Sequence, residues 1–197
     1  MNLKLIYKMV ETVDSPLFAY LSKNQSQFEK FVPAAQVKGR LDNIIYSNIY
    51  KLGENPDLNS VKAIFEKAYP NKSDKLFASY KMRNFIETEN SVGFANAATA
   101  YVKKYKIKDA DELNEIAWNF YESVQDRKLL KKGLKIAKKS VKAEKNYYNM
   151  DTMAALLYRL NKKKKAKKIA TKAIALGKKN GEDVSSTENL LKQIEKL

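Results

Sequence analysis

Apolar residues return every three or four positions along most of this chain, the spacing of one helical face. Leu3, Ile6, Met9 and Val10 open the pattern on a shared face. No stretch shows the one-on, one-off alternation of Val, Ile and Thr that a half-buried strand needs. Turn chemistry separates the periodic runs. Asp14-Ser15-Pro16 reads as a helix start with Pro in the first turn. Pro33, Gly53-Glu54-Asn55-Pro56 and Tyr69-Pro70-Asn71 are stops, and Thr88-Glu89-Asn90-Ser91, Lys108-Asp109-Ala110-Asp111, Gln125-Asp126 and Asn161 are softer turns. About ten amphipathic segments of roughly 10 to 18 residues lie between them, an ordinary helix length. With 6 Gly and 4 Pro set among long Lys, Glu, Ala and Leu tracts, the predicted fold class is all-α.

The segments pair, and the pairs repeat. Val61-Phe65-Ala68, Gly93-Ala97-Ala100, Gly133-Ala137-Ser140 and Ala166-Ala170-Ala173 share one spacing, and their first positions lie 32, 40 and 33 residues apart. GLKIAKKSVKAE (133–144) overlies AKKIATKAIALG (166–177), with Val141 over Ile174. The preceding helices agree too: IAWNFYE (116–122) overlies MAALLYR (153–159), with Ala117 over Ala154 and Tyr121 over Tyr158. Helices pack closely only where small side chains let their backbones approach, so Ala or Gly recurs at fixed offsets.

Ala154, Ala166 and Ala173 stand mid first helix, early second helix and late second helix, and in this the chain resembles the tetratricopeptide repeat. Leu157 and Tyr158 fall where that repeat carries its aromatic pair. The departures are the lack of a closing Pro after Ala173 and a longer turn before Gly133. The resemblance implies a right-handed superhelical stack of antiparallel helix pairs: flanking helices over 1–33, about four hairpins over 34–182 with the last two clearest at 110–180, and a closing helix over 183–197. Ser185-Ser186-Thr187-Glu188 is a capping-box start for that last helix.

A narrower likeness runs through LNEIAWNFYE, the lysine-rich KKSVKAE, and NYYNMDTMAALLYRLNKKKKA. Together these are similar to the helical C-terminal region of bacterial thioredoxin-fold, thiol-disulfide isomerase-like proteins, and SPLFAYLSKNQSQF is similar to the linker helix that follows their redox domain. The resemblance implies a longer parent protein whose thioredoxin-like part is absent here, exported to a periplasm-like space. A chain that begins directly within an amphipathic helix agrees with that expectation.

Composition narrows the chemistry. The chain has no Cys and no His, so it offers no thiolate, imidazole base, Cys/His metal site or disulfide. No catalytic, cofactor or metal residues are assigned, and a catalyst here would run on Asp, Glu, Lys or Tyr alone. Asp109, Asp111, Glu112 and Glu115 cluster, but at a predicted helix start, where acids complement the helix dipole. No apolar run reaches the length of a transmembrane helix.

Net charge is +16 and uneven: residues 1–100 carry 13 basic and 10 acidic groups, residues 101–197 carry 25 and 12. On a helical wheel centred on Ala166, Lys164, Lys168 and Lys172 fall opposite the small-residue seam. Lys131, Lys135, Lys139 and Lys142 do the same relative to Gly133. This candidate basic ridge is a hydrated outer face on one reading and a phosphate-binding surface for nucleic acid or anionic lipid on another. Only Arg40, Arg83, Arg127 and Arg159 among the 38 basic residues are Arg, which argues against bidentate phosphate or base contacts. No helix-turn-helix, RRM aromatic motif or Gly-rich phosphate loop occurs.

In repeats of this kind the first helices line a concave groove. By the alignment, Asn114, Trp118, Tyr121 and Glu122 face it from one hairpin, and Tyr148, Asp151, Ala155, Tyr158 and Arg159 from the next. Aromatic and Arg anchors suit capture of a peptide segment, while the same aromatics serve equally as packing between repeats. The expected role is a non-catalytic scaffold or protein-interaction module. Its partner would be a protein, a peptide or its own missing N-terminal domain, with polyanion binding as the alternative.

Overall fold

The computed structural model describes residues 2–196. Met1 and Leu197, the ends of the expected flanking and closing segments, lie outside the described residues. Twelve α-helices follow one another, with no strand among the described residues. They are α1 (Leu3–Met9), α2 (Pro16–Lys23), α3 (Gln25–Phe28), α4 (Ala34–Tyr50), α5 (Leu58–Ala68) and α6 (Ser73–Glu87), then α7 (Ser91–Lys104), α8 (Ala110–Ser123), α9 (Arg127–Ala143), α10 (Tyr147–Arg159), α11 (Lys163–Asn180) and α12 (Ser185–Lys196). Four of the predicted turns supply side-chain caps, and Asn146, outside them, supplies another. Ser15 accepts from the Leu17 N–H with Pro16 in the first turn, and Asn90, Asp109, Asp126 and Asn146 each accept a backbone N–H at the start of α7, α8, α9 and α10. The chain divides inside α6 into two compact units, one running to Tyr80 and the other beginning at Lys81.

In the first unit α4 carries the core. Val37, Leu41, Ile44, Ile45 and Ile49 are buried along one face and join Phe18 and Leu21 of α2, Phe28 of α3, and Val61 and Phe65 of α5. The Tyr7 hydroxyl donates to Gln36 O at 3.1 Å, and Arg40 Nη2 donates to Lys8 O and Val10 O at 3.2 and 2.8 Å, tying α1 to α4. Of the four opening apolar residues, Ile6 and Val10 are buried and Leu3 packs on the core, but Met9 is 60% exposed. The shared face expected for them ends early because α1 stops at Met9 and Val10 is already extended, at φ −72° and ψ 119°.

In the second unit the links between α8 and α9, α9 and α10, and α10 and α11 are three residues each, and every such pair packs together, so successive helices double back. α10 also packs on α8, and α12 on α11 and α10. The small-residue positions lie at these contacts: Gly133, Ala137 and Ser140 of α9 and Ala166, Ala170 and Ala173 of α11 are all buried. The expected trio in α7 is out of phase. Gly93 and Ala97 are half-buried and Ala100 is exposed, while Phe94, Ala98 and Tyr101 take the buried face one residue later. Gly93 answers to a different constraint: its N–H is capped by Asn90 Oδ1 at 2.8 Å, and a Cβ there would meet the Asn90 side chain. No helix among the described residues is long and apolar enough to cross a membrane.

Candidate functional site

Asn114, Trp118 and Tyr121 occupy one face of α8 at intervals of four and three residues, and all three are half-buried. The Trp118 and Tyr121 rings lie 4.9 Å apart between centroids with 38° between their planes, a tilted stack rather than two separate anchors. One turn before Trp118, the Asn114 Oδ1 is buried without a hydrogen-bond donor. A buried, unsatisfied amide oxygen is costly, and this one is closed off from solvent beneath the aromatic pair's helix face.

Arg159 reaches across from α10 to this cluster. Its Nη1 donates to Tyr121 O at 2.6 Å, its Nη2 to Val124 O at 2.9 Å and to Gln125 Oε1 at 2.7 Å, and its guanidinium carbon lies 5.7 Å from the Tyr121 ring centroid. The two carbonyls belong to the C-terminal turn of α8 and its cap, groups that a helix leaves without internal partners. A cation there also meets the negative end of the helix dipole. Arg159 therefore fastens α10 to the end of α8, and its cation–π contact fixes the Tyr121 ring. Tyr158 beside it is half-buried.

Tyr148 and Asp151 share the α10 face with Arg159 but engage a different neighbour. The Tyr148 hydroxyl donates to Glu182 Oε2 in the link before α12, which raises the phenol above its ordinary range. Asp151 Oδ1 accepts from the Thr187 hydroxyl of α12 at 2.7 Å. That hydroxyl in turn accepts from the Tyr147 O–H at 2.8 Å, a three-member chain closed over the buried Thr187. Burial pushes the Asp151 carboxyl up, with the Thr187 bond opposing. The first turn of α12 thus covers Asp151, while Tyr148 stays 55% exposed and Trp118 and Tyr121 are half-buried. Thr187 and Tyr147 escaped the sequence reading because their link spans 40 positions. The only local signal, a capping box, marked the helix start and said nothing of the partner.

All six ridge lysines, Lys131, Lys135 and Lys139 on α9 and Lys164, Lys168 and Lys172 on α11, are exposed. None makes an ion pair or hydrogen bond among the described residues. The pattern is wider than these six: α9 and α11 hold eight basic residues each and no acidic residue. α8, in contrast, has Asp111, Glu112, Glu115 and Glu122 and no basic residue. Of the acid cluster at its start, Asp109 is the N-cap, accepting from the Glu112 N–H at 2.8 Å, and Glu112 Oε1 accepts from the Tyr101 hydroxyl at 2.6 Å. Among the described residues no three carboxylates are grouped to hold a metal ion. No protein-family model, no curated protein and no solved structure matches the chain.

Proposed function

We propose that the unit beginning at Lys81 is a non-catalytic protein-interaction module of tetratricopeptide kind, in which α8 and α10 are groove-lining first helices. The observation that carries this reading is the partly exposed Trp118–Tyr121 stack, held in place by Arg159. A partner segment would lay an apolar or aromatic side chain on the stack. The recurrence of Ala154, Ala166 and Ala173 and the likeness to helical regions of thioredoxin-fold proteins support placing the module behind a redox domain of a longer parent. A native product well above 22.6 kDa on a blot of source cells is expected, and a band at 22.6 kDa would remove that part of the proposal.

Selection of a random twelve-residue peptide library on the immobilised protein tests the groove. Selected peptides should lose about tenfold or more in affinity to Trp118→Ala while urea unfolding moves little, because a half-exposed ring at a binding surface contributes more to the contact than to the core. Equal losses in both, or no enrichment of peptides, would make Trp118 packing alone.

One observation favours a second reading, polyanion binding: sixteen basic and no acidic residues on α9 and α11. Retention on heparin with steep salt dependence, abolished by reversing Lys131, Lys135, Lys164 and Lys168 to Glu, is its signature. Elution at low salt would dispose of it.

A further inference from the structure

The first unit holds a cavity of about 560 Å³ that no sequence motif announced. Such a volume lies within the range typical of small-molecule sites, about 300–1,000 Å³. Four segments meet around it: the α2–α3 corner, α4, the Tyr69-Pro70-Asn71 link, and the start of α6. The corner is pinned, since the Ser22 hydroxyl donates to Ala68 O at 2.7 Å and Gln25 Nε2 donates to Ser22 O at 2.9 Å. Ala68, Pro70 and Leu76 supply apolar wall.

Part of the polar lining is unspent. Asp42 and Tyr69 both face the cavity, and neither the carboxylate nor the phenol makes a hydrogen bond among the described residues. Burial, with Asp42 beside it, pushes the Tyr69 phenol up to about 12, so at neutral pH it is a donor; burial raises the Asp42 carboxyl too, with the Lys38 ammonium opposing, and its oxygens are the acceptors. Lys23, Lys38 and Lys72 also line the cavity, and none has a salt bridge among the described residues. Three ammonium groups and one carboxylate leave a net +2, which complements a phosphate monoester of about −1.5 to −2. A bare anion fits poorly, because Asp42 repels it and Tyr69 and Asp42 together ask for hydroxyl groups.

We propose that this cavity binds a phosphorylated polyol, its phosphate among Lys23, Lys38 and Lys72 and its hydroxyls on Asp42 and Tyr69. The carbon skeleton then lies on Ala68, Pro70 and Leu76. The ligand is either a free sugar phosphate or the inositol phosphate headgroup of a lipid, which share this chemistry.

Amide chemical shifts of the full chain, titrated separately with glucose 6-phosphate, glucose and inorganic phosphate, test the proposal. A parallel arm measures sedimentation with phosphatidylcholine vesicles with and without phosphatidylinositol 4-phosphate. Saturable shifts confined to the four lining segments, the α2–α3 corner, residues 38–42, residues 68–72 and the start of α6, are expected with glucose 6-phosphate, at least tenfold tighter than with inorganic phosphate. The double change Lys38→Gln and Lys72→Gln should weaken binding about tenfold or more. Asp42→Asn should weaken the ester and leave inorganic phosphate unchanged or tighter. If the free sugar phosphate saturates, the soluble source is right. If only the lipid-bearing vesicles bind, and the double change releases them, the headgroup is right. Identical responses to inorganic phosphate and the ester, unmoved by Asp42→Asn, would reduce the site to ordinary lysine screening, and no saturable response in either arm would overturn it.

Discussion

A single methyl group separates Gly133 from alanine, and the α8–α9 contact has no room for it. A Cβ at Gly133 would stand 2.5 Å from Phe120 Cβ and 2.6 Å from its Cγ, atoms close to the α8 backbone that cannot swing away. Overpacking of this sort costs about 1–3 kcal/mol, against a gain of about 0.8–1 kcal/mol from alanine's better helix propensity. Gly133→Ala should therefore destabilise by up to about 2 kcal/mol in urea unfolding. Gly39 in α4 is the opposite case. Nothing lies within 4 Å of a Cβ built there, and its φ is not in the left-handed region. Gly39→Ala should stabilise by about 0.5–1 kcal/mol. Two identical substitutions of opposite sign would locate the close helix contact by measurement, and a stabilising Gly133→Ala would mean α8 and α9 do not approach as described.

Between elements, the few arginines do what lysine cannot. Arg40 donates to two carbonyls at the end of α1, Arg127 donates to Leu160 O at the end of α10, and Arg159 donates to two at the end of α8. Arg159 spreads its bonds to Tyr121 O and Val124 O over Nη1 and Nη2 in one rigid plane, whereas an ammonium's three donors radiate from a single point on a flexible stem. Arg159→Lys should cost about 1–3 kcal/mol of stability, and it should also release the Tyr121 ring, seen as a change in Trp118 fluorescence. An unchanged midpoint and spectrum would remove Arg159 from the joint. None of this was legible in the sequence, where the scarcity of Arg spoke only against phosphate contacts, because each partner lies 30 to 38 positions away. Local chemistry was legible: Ser15-Pro16, Asp109 and Asp126 begin helices where the turn residues put them. The phase of α7 was misread because Gly93 serves a cap rather than a helix contact. The cavity was invisible because four separate segments build it. The Asp151–Thr187 bond joining α10 to α12 adds a pH effect. Burial raises the Asp151 carboxyl in the folded state, so just above the ordinary Asp value the folded protein holds a proton that the unfolded chain has lost. Stability from this group thus rises as pH falls through the raised value and levels off below the ordinary one. In urea titrations from pH 7 to pH 4, wild type should gain on Asp151→Asn as pH falls, and a pH-independent difference would mean the carboxyl titrates normally.

At the scale of the whole molecule the charge is an arrangement more than a total. The net +16 of the chain equals the sixteen basic residues that α9 and α11 carry without an acid between them. Every other residue taken together is neutral. Lys167 and Lys178 find Glu195 and Glu188 of α12, but among the described residues the six ridge lysines have no partner and face water. Like charges one turn apart on a helix cost a few tenths of a kcal/mol per pair, and both helices contain several such pairs. Screening shortens the reach of that repulsion from about 30 Å at 0.01 M salt to about 8 Å at 0.15 M. The melting temperature should therefore rise as NaCl is added from 10 mM. Replacing Lys135 and Lys168 by Glu should raise it at low salt and flatten the salt response, because each change turns flanking repulsions into i,i+4 attractions. Those two substitutions leave the Trp118–Tyr121 face untouched, so peptide affinity in the same proteins should stay constant. A melting temperature indifferent to salt and to both reversals would mean that the helices relieve the repulsion by spreading their side chains. The basic face would then carry no stored strain for a polyanion to relieve.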